Sequence, residues 1–565
     1  MFQKNEKEDG KMKINIIENG CTKHAELMKK HISKRIPLEI ETEGMQIELM
    51  IDEQLGKQES YKILVKDNGF AIMGADTMGL FFGIGKFLHT AKWTDTEFVP
   101  KPPIGVITPA SDFRAVYFAI HFYNWYQNAP LEELETYLEE LVLWGYNVAV
   151  CIIPIVNLDS FEDQLFYQSV KKTREVYQLA KKIGMKVGII LNPNQGLKTT
   201  PAEFNADLSF DPAGVRGTAG KNICVEQPGA FSYMQNIWRK QLEQYTDIGM
   251  DYVFSWPYDE GGCGCEKCRP WGGNGYLKYT NAIHDEVVKF YPNAKFIVST
   301  WLFDTPEDEG EYESLYKRLE GDMQYVDYLM IDAHDRFPRY PLEHEVIKPI
   351  VNFPEISMWK LIPWGGRGAN PQLKRFQGFW DETKHLIQGG MPYSEGVYDD
   401  ILKVLFAGYY WEPDKNYREI MAEYINYEYT CDVSDEVLEI MELIEDNHVG
   451  VAELREPDMV KAERAVKLAE NVDLCLGERA KKSWRWRILY IRAQIDLMTN
   501  QYYVDHYYGT EKGLYDVRHT PEEYLADNEK AQEFLQELCR IYHCVSANGE
   551  NHPTLPPVKG GIVRG

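Results

Sequence analysis

The stretch LVLWGYNVAVCIIP, residues 141–154, decides the fold. A helical run ends at Gly145, and an unbroken apolar strand begins two residues later. Glycine stops a helix because it enters the left-handed conformation without a Cβ clash. An apolar run without alternation suits a strand covered on both faces, as in a parallel sheet. The same unit recurs as LAKKIGMKVGIILNP (179–193, turning at Gly184) and YTDIGMDYVFSWP (245–257, turning at Gly249). Further strands are expected at AKFIVSTWLF (294–303), DYLMIDAHD (327–335), ISMWKLIPW (356–364) and GMPYSEG (390–396). With FRAVYFAIH (113–121) as the first, eight strands separated by helical patterns span 113–400. That suits a (β/α)8 TIM barrel, typically ~250 residues long. No glycine-rich dinucleotide fingerprint supports the alternative, an open doubly wound sheet.

Outward from the barrel, the flanks differ in pattern. Residues 12–100 read as a small α/β domain: strand MKINIIE, helix CTKHAELMKKHISKR, strands around IEL, YKILVKDN and GFAIMGAD, then helix GLFFGIGKFLHTA. Lys101-Pro102-Pro103 opens a linker expected over 101–112, since prolines resist regular structure. The catalytic barrel is placed at 113–408 and an all-helical C-terminal domain at 409–550, with tails at 1–11 and 551–565. Met12 is read as the natural start.

The 565 residues are 44 % hydrophobic and 26 % charged, which excludes a disordered, collagen-like or disulfide-knot chain. The net charge of −26 repels nucleic acid backbones and anionic membranes, so neither is expected as a partner. The N-terminus carries no apolar stretch of signal-peptide length, and no run approaches the ~20 residues that span a bilayer. A cytoplasmic protein with reduced thiols is therefore expected. Aromatics reach 13 %, with 13 Trp and 36 Tyr, enough to line a sugar-binding cleft as well as a core.

A barrel of this kind keeps its active site at the C-terminal ends of its strands. Those ends supply His121, Asn124 and Trp125, then Asn192 and Asn194, then Trp256, Tyr258, Asp259 and Glu260. Beyond them come Trp301, Asp304, Asp332, His334, Asp335, Trp359, Lys360, Trp364, Tyr393, Glu395, Asp399 and Asp400. Carboxylates among Trp and Tyr are what glycosidic bond cleavage requires: an acid for the leaving oxygen and a second group at the anomeric carbon. Asp259-Glu260 is the sharpest local signal. Pro257 before the pair and Gly261-Gly262 after it make a bend that brings both carboxylates into one cleft. Asp399 or Asp400 is expected to cap the following helix, whereas Glu395 lies earlier, at the strand end. His121, Asn124, Trp256, Tyr258, Trp301, Asp332, His334, Trp359, Trp364, Tyr393 and Glu395 are the candidate substrate contacts.

GFAIMGADTMGLFFGIGKFLH (69–89) and FRAVYFAIHFYNWY (113–126) resemble glycoside hydrolase family 20 hexosaminidases and bacterial α-glucuronidases. The first is similar to the end of the small domain that precedes their barrel, the second to their first barrel strand. PYSEGVYDDILKVLFAGYYWEP (392–413) is similar to barrel closures of other bacterial glycosidase-like groups, and the resemblance spans roughly residues 60–430. In the hexosaminidases a Gly-Gly-Asp-Glu motif on strand 4 supplies an Asp that orients the substrate acetamido group and a Glu that is the general acid/base. The resemblance assigns these roles to Asp259 and Glu260. This sequence departs from the motif: Pro257-Tyr258 precede the pair and the glycines follow it. It implies a retaining, substrate-assisted exo-enzyme whose acid is raised towards ~6 by burial and its acidic neighbour. The alternatives are a glycosidase for non-acetamido sugars or uronides, with Glu260 acting beside Glu395 as nucleophile or base, and a non-catalytic carbohydrate-binding barrel.

Cys263-Gly264-Cys265-Glu266-Lys267-Cys268 places three thiols in six residues, and Cys224 lies in the long loop after strand 3. Four such thiolates make a structural zinc site. Zinc at Cys224, Cys263, Cys265 and Cys268 is therefore expected to brace the loop carrying Glu260, with no organic cofactor. A glycan is the expected partner, and a homodimer or closure of the cleft are the two uses open to the C-terminal helices.

Overall fold

The computed structural model describes residues 11–120, 124–209, 221–257, 261–304, 310–321, 323–333, 336–357, 368–447, 458–507, 525 and 527–543. Eight parallel strands close into a barrel: β1 Phe113–Phe118, β2 Val148–Ile152, β3 Lys186–Leu191, β4 Tyr252–Ser255, β5 Lys295–Ser299, β6 Val326–Ala333, β7 Ile350–Pro354 and β8 Ile387–Gly390. β8 pairs with β1 through Gly389↔Phe113, and a short continuation, Tyr393–Ser394, extends the pairing to Tyr117 and Phe118. The expected (β/α)8 class is thus the observed one.

The helix-stopping glycines act as their sequence context requires. Gly145 (φ 113°) ends helix Leu131–Trp144 and Gly184 (φ 101°) ends helix Gln164–Ile183, each closing the last turn with its own N–H. β2 and β3 begin directly after them, so helix, turn and buried strand repeat around the barrel.

Alternation along the strands divides the apolar residues into two sets. Phe113, Ala115 and Tyr117 of β1, Tyr252 and Phe254 of β4 with Trp256 just beyond, and Val351 and Phe353 of β7 belong to a cluster separate from the main core. They fill the barrel interior. The intervening Val116, Phe118, Val253 and Ile350 join the main core, against the helices. Gly188 in β3 makes room for this packing: a Cβ there would lie 3.2 Å from both Phe254 and Tyr252.

β7 corrects the expected strand at 356–364. The strand is the shorter run Ile350–Pro354, which ends immediately before Glu355. Most of ISMWKLIPW lies outside the described residues.

The small domain is a six-stranded sheet with helices Thr22–Ser33 and Thr77–His89. Gly105–Ile107, within the stretch expected as a linker, pairs antiparallel with Tyr61–Ile63 at the edge of that sheet. C-terminal helices include Tyr417–Glu428, Ser434–Asn447, Met459–Cys475, Trp484–Tyr507 and Glu529–Tyr542. Buried ion pairs tie the regions together: Arg485 reaches Asp400 at 2.7 Å and Glu140 at 2.8 Å, and Arg35 of the small domain reaches Glu428 at 3.1 Å. Among the described residues no helix is long and apolar enough to cross a membrane.

Candidate active site

The C-terminal mouth of the barrel is aromatic. Trp256 packs edge-on against Phe353 (ring centroids 4.6 Å apart) and Trp301 (5.8 Å), while Tyr117 lies 5.6 Å from Trp256 and 5.2 Å from Tyr393. Of the sequence candidates, the structure brings Trp256, Trp301, Tyr393 and Glu395 together here. Asp332 is half-buried on β6, in register with Phe353. Asn124 is committed locally: its Oδ1 accepts from the Tyr126 N–H at 3.1 Å and its Nδ2 donates to the Ala119 carbonyl at 2.7 Å. His121, Tyr258, Asp259, Glu260, His334, Trp359 and Trp364 lie outside the described residues.

The chain on either side of Tyr258-Asp259-Glu260 is anchored by two amides that follow β3. Asn192 Nδ2 donates to the Trp256 carbonyl at 3.1 Å, and Asn194 Nδ2 donates to the Gly262 carbonyl at 3.1 Å. Trp238 Nε1 holds Asn192 in turn, through its carbonyl at 2.9 Å. Gly261 lies close against Pro257: a Cβ on Gly261 would lie 2.4 Å from the Pro257 Cβ, so only glycine fits.

Glu395 is fully buried. Tyr393 donates its hydroxyl to Oε1 at 2.5 Å, Tyr398 donates to Oε2 at 3.1 Å, and the Glu395 N–H donates to Ser357 Oγ at 2.9 Å. Burial pushes the Glu395 carboxyl up to about 8 against the two phenol bonds, and the negative charges of Asp399 and Glu355 push the same way. The group therefore holds its proton at neutral pH.

Asp399 and Asp400 are not used as helix caps. Helix Asp400–Trp411 begins after Asp399 with no side-chain cap bond. Asp399 instead pairs with Lys403 at 2.5 Å, both fully buried, and accepts from Ser394 Oγ at 2.9 Å and from Ser357 Oγ. Lys403 also donates to the Gly396 carbonyl at 2.6 Å and the Tyr126 hydroxyl at 2.8 Å. Asp400 accepts from Tyr137 at 2.8 Å, Tyr424 at 2.9 Å and Arg485. A buried charge must be paired, and these partners outweigh the weak benefit of a helix end.

Sequence reasoning missed Glu355, buried at the C-terminal end of β7 beside the mouth. Its signal is the short strand-like run IVNF, apolar but for Asn352 and closed by Pro354, with an acidic residue directly after it.

The four cysteines do converge. Cys224 Sγ lies 3.7 Å from Cys265 Sγ and 3.8 Å from Cys268 Sγ, and all four sulfurs fall within 4.8 Å of one another. Four thiolates ~2.3 Å from a common centre stand ~3.8 Å apart, so the cluster fits a tetrahedral metal ion. A disulfide, at ~2.05 Å, does not fit these separations, and all four thiols are free. Hydrogen bonds from the Cys263 and Cys268 thiols hold Cys224 below the usual thiol range, so the cluster already favours a thiolate.

No protein-family model matches the sequence, and no curated protein matches it. Among solved structures the chain shares its fold with several carbohydrate enzymes. A family GH115 4-O-methyl-α-glucuronidase, BtGH115A, with specificity for decorated arabinogalactans aligns at TM-score 0.57 and 11 % identity, over 94 % of this chain and 76 % of that one. CpGH89 from Clostridium perfringens, bearing two glutamate-to-glutamine substitutions and in complex with its substrate GlcNAc-α-1,4-galactose, aligns at 0.60 and 13 %, over 92 % and 64 %. A GH20 exo-β-N-acetylglucosaminidase from Vibrio harveyi, in complex with N-acetylglucosamine, aligns at 0.50 and 10 %, over 74 % and 73 %. The architectural resemblance read from residues 69–89 and 113–126 is thus matched by the fold.

Proposed function

We propose that this chain is a glycoside hydrolase working at the C-terminal mouth of its barrel. The observation that carries the reading is Glu395, a buried carboxyl hydrogen-bonded to Tyr393, whose ring packs on Phe353 and through it on Trp256 and Trp301 at the mouth. The fold shared with enzymes whose names specify glycosidic substrates supports it.

The first reading is a β-N-acetylhexosaminidase-like exo-enzyme. Glu260 gives its proton to the glycosidic oxygen as the anomeric C–O bond breaks, and the substrate's acetamido oxygen forms the new bond to that carbon. Asp259 orients the acetamido group. Water then adds to the oxazolinium, and its proton returns to Glu260. Asn192 and Asn194 hold the backbone on either side of the pair, which supports a fixed orientation. The second reading makes Glu395 the nucleophile or base for sugars without an acetamido group, and its place in the aromatic ring favours it. A carboxyl that holds its proton at neutral pH is a poor resting nucleophile, so the acetamido scheme stands first.

Cys224, Cys263, Cys265 and Cys268 are the ligands of a zinc ion in this account. Four thiolates fill a tetrahedral site, which leaves no position for substrate and makes the ion structural. Cys263 follows Gly262, the residue whose carbonyl Asn194 holds, so the ion would brace the same loop.

The test is turnover of a nitrophenyl N-acetyl-β-hexosaminide together with inhibition by a thiazoline that mimics the oxazolinium. Competitive inhibition that weakens in Asp259→Asn supports the first reading. Covalent labelling of Glu395 by a 2-fluoro sugar supports the second. Sugar binding with no turnover of any glycoside would make the chain a carbohydrate-binding barrel.

A further inference from the structure

The four clustered cysteines differ in their access to solvent. Cys224, Cys263 and Cys268 are buried, at 1 %, 1 % and 0 % exposure, whereas Cys265 is half-buried. Glu266 and Lys267, which follow Cys265, are both exposed, so the cluster meets solvent there. Cys265 and Cys224 come from separate segments, 41 residues apart, yet their sulfurs stand 3.7 Å from each other. Backbone bonds hold both segments in place. The Cys224 N–H donates to the Phe204 carbonyl at 2.9 Å, the Gly264 N–H to the Asp207 carbonyl at 2.6 Å, and the Cys268 N–H to the Cys265 carbonyl at 3.0 Å.

We propose that Cys265 and Cys224 are an oxidation site for peroxide, at which a disulfide closes between the two segments and disbands the metal-binding set. The inference rests on reading the cluster as a zinc site and gives that site a regulation. The Cys265 thiolate attacks a peroxide oxygen: an S–O bond forms, the O–O bond breaks and hydroxide leaves. The Cys224 thiolate then attacks the Cys265 sulfur: an S–S bond forms, the S–O bond breaks and a second hydroxide leaves. The two sulfurs lose the two electrons that the peroxide gains. A disulfide holds its sulfurs ~2.05 Å apart, so the pair must leave the ~3.8 Å spacing of a tetrahedral thiolate set. Cys263 and Cys268 are then the remaining thiolates, too few for a structural zinc site. A dithiol reductant reverses the step by exchange.

The first test needs no turnover. Cys475 is also exposed, so full-length Cys475→Ser protein is used to silence that thiol. Hydrogen peroxide is added in small steps, released zinc is read with a chelating dye, and remaining thiols are alkylated before peptide mapping. A Cys224–Cys265 bridge should be the first product, with about one zinc released for each bridge formed. A dithiol and added zinc should restore the starting state. In Cys265→Ser the same low dose should leave Cys224, Cys263 and Cys268 open to alkylation after denaturation, because burial shields them. Zinc retained while the bridge forms overturns the release. A first bridge between Cys265 and Cys268 overturns Cys224 as the partner, and first oxidation at a buried cysteine overturns Cys265 as the entry point.

Two controls separate this inference from the readings beneath it. If the purified protein holds no zinc but forms the Cys224–Cys265 bridge, the oxidation site stands and the release of zinc is overturned with the zinc reading. The other control uses whichever nitrophenyl glycoside the protein cleaves. Cys263 follows Gly262, whose carbonyl Asn194 holds, so closing the bridge acts on chain that begins two residues after Glu260. Turnover should fall in step with bridge formation and return on reduction. Full turnover by the bridged, zinc-free protein overturns the regulation and leaves only a modification site.

Discussion

Tyr393 donates its phenol to Glu395 across 2.5 Å, yet the carboxyl it supports keeps its proton up to about pH 8. Burial outweighs the hydrogen bond. The linkage has a definite sign, because the folded carboxyl titrates above its ordinary value of 4.5. Its contribution to stability is complete below that value and is lost as pH rises towards 8. Glu395→Gln removes the titration, so the variant should gain on wild type as pH rises, by on the order of 2–4 kcal/mol above pH 8. Denaturant unfolding at pH 5, 7 and 9 measures this. Parallel stability profiles for the two proteins would contradict it.

Asp399 and Lys403 form a fully buried ion pair, so removing one partner strands the other. Asp399→Asn should cost about 3–5 kcal/mol in unfolding free energy. Adding Lys403→Met should recover part of that loss, since the second change removes the stranded charge. An additive double mutant, measured by denaturant midpoint, would show that the two groups do not interact.

Asn194 holds the carbonyl of Gly262, two residues after Glu260 in sequence. Asn194→Ala leaves that carbonyl without its donor and should cost about 1–2 kcal/mol of stability. Activity should fall roughly tenfold in kcat, with KM little changed, because positioning is lost rather than binding. An unchanged kcat would remove Asn194 from the account.

Purified protein should contain about one zinc per chain. Cys265→Ser should lower metal content and activity together and leave the far-ultraviolet dichroism near wild type, because most of the buried core lies on the barrel strands and helices rather than at the four cysteines. Metal-free protein with full activity would reduce the four cysteines to small buried side chains.

The barrel was legible because Gly145 and Gly184 mark helix ends one residue at a time, and the apolar runs after them have no other stable placement than a doubly covered strand. Trp256, Trp301, Tyr393 and Glu395 followed from reading strand ends alone. The cysteine cluster was legible because three of its members are adjacent in sequence. Glu355 was hidden because β7 is five residues closed by Pro354, while the longer apolar run after it, 356–364, carries the stronger pattern. The partners of Asp399 and Asp400 were hidden for another reason. Lys403 is one helical turn away, but Arg485 is brought in from the C-terminal helices, and no local pattern announces a contact of that range.

The central claim, a glycosidase whose acid is Glu260, is tested most directly by hydrolysis of a nitrophenyl glycoside panel by wild type and Glu260→Gln. The panel sets acetamido sugars beside plain hexosides and uronides. Wild type should prefer the N-acetyl-β-hexosaminide, and Glu260→Gln should lose at least ~10²-fold on poor leaving groups but less on activated ones, which need no proton. Near-wild-type cleavage of a poor leaving group by Glu260→Gln, or a preference for sugars lacking the acetamido group, would contradict the account.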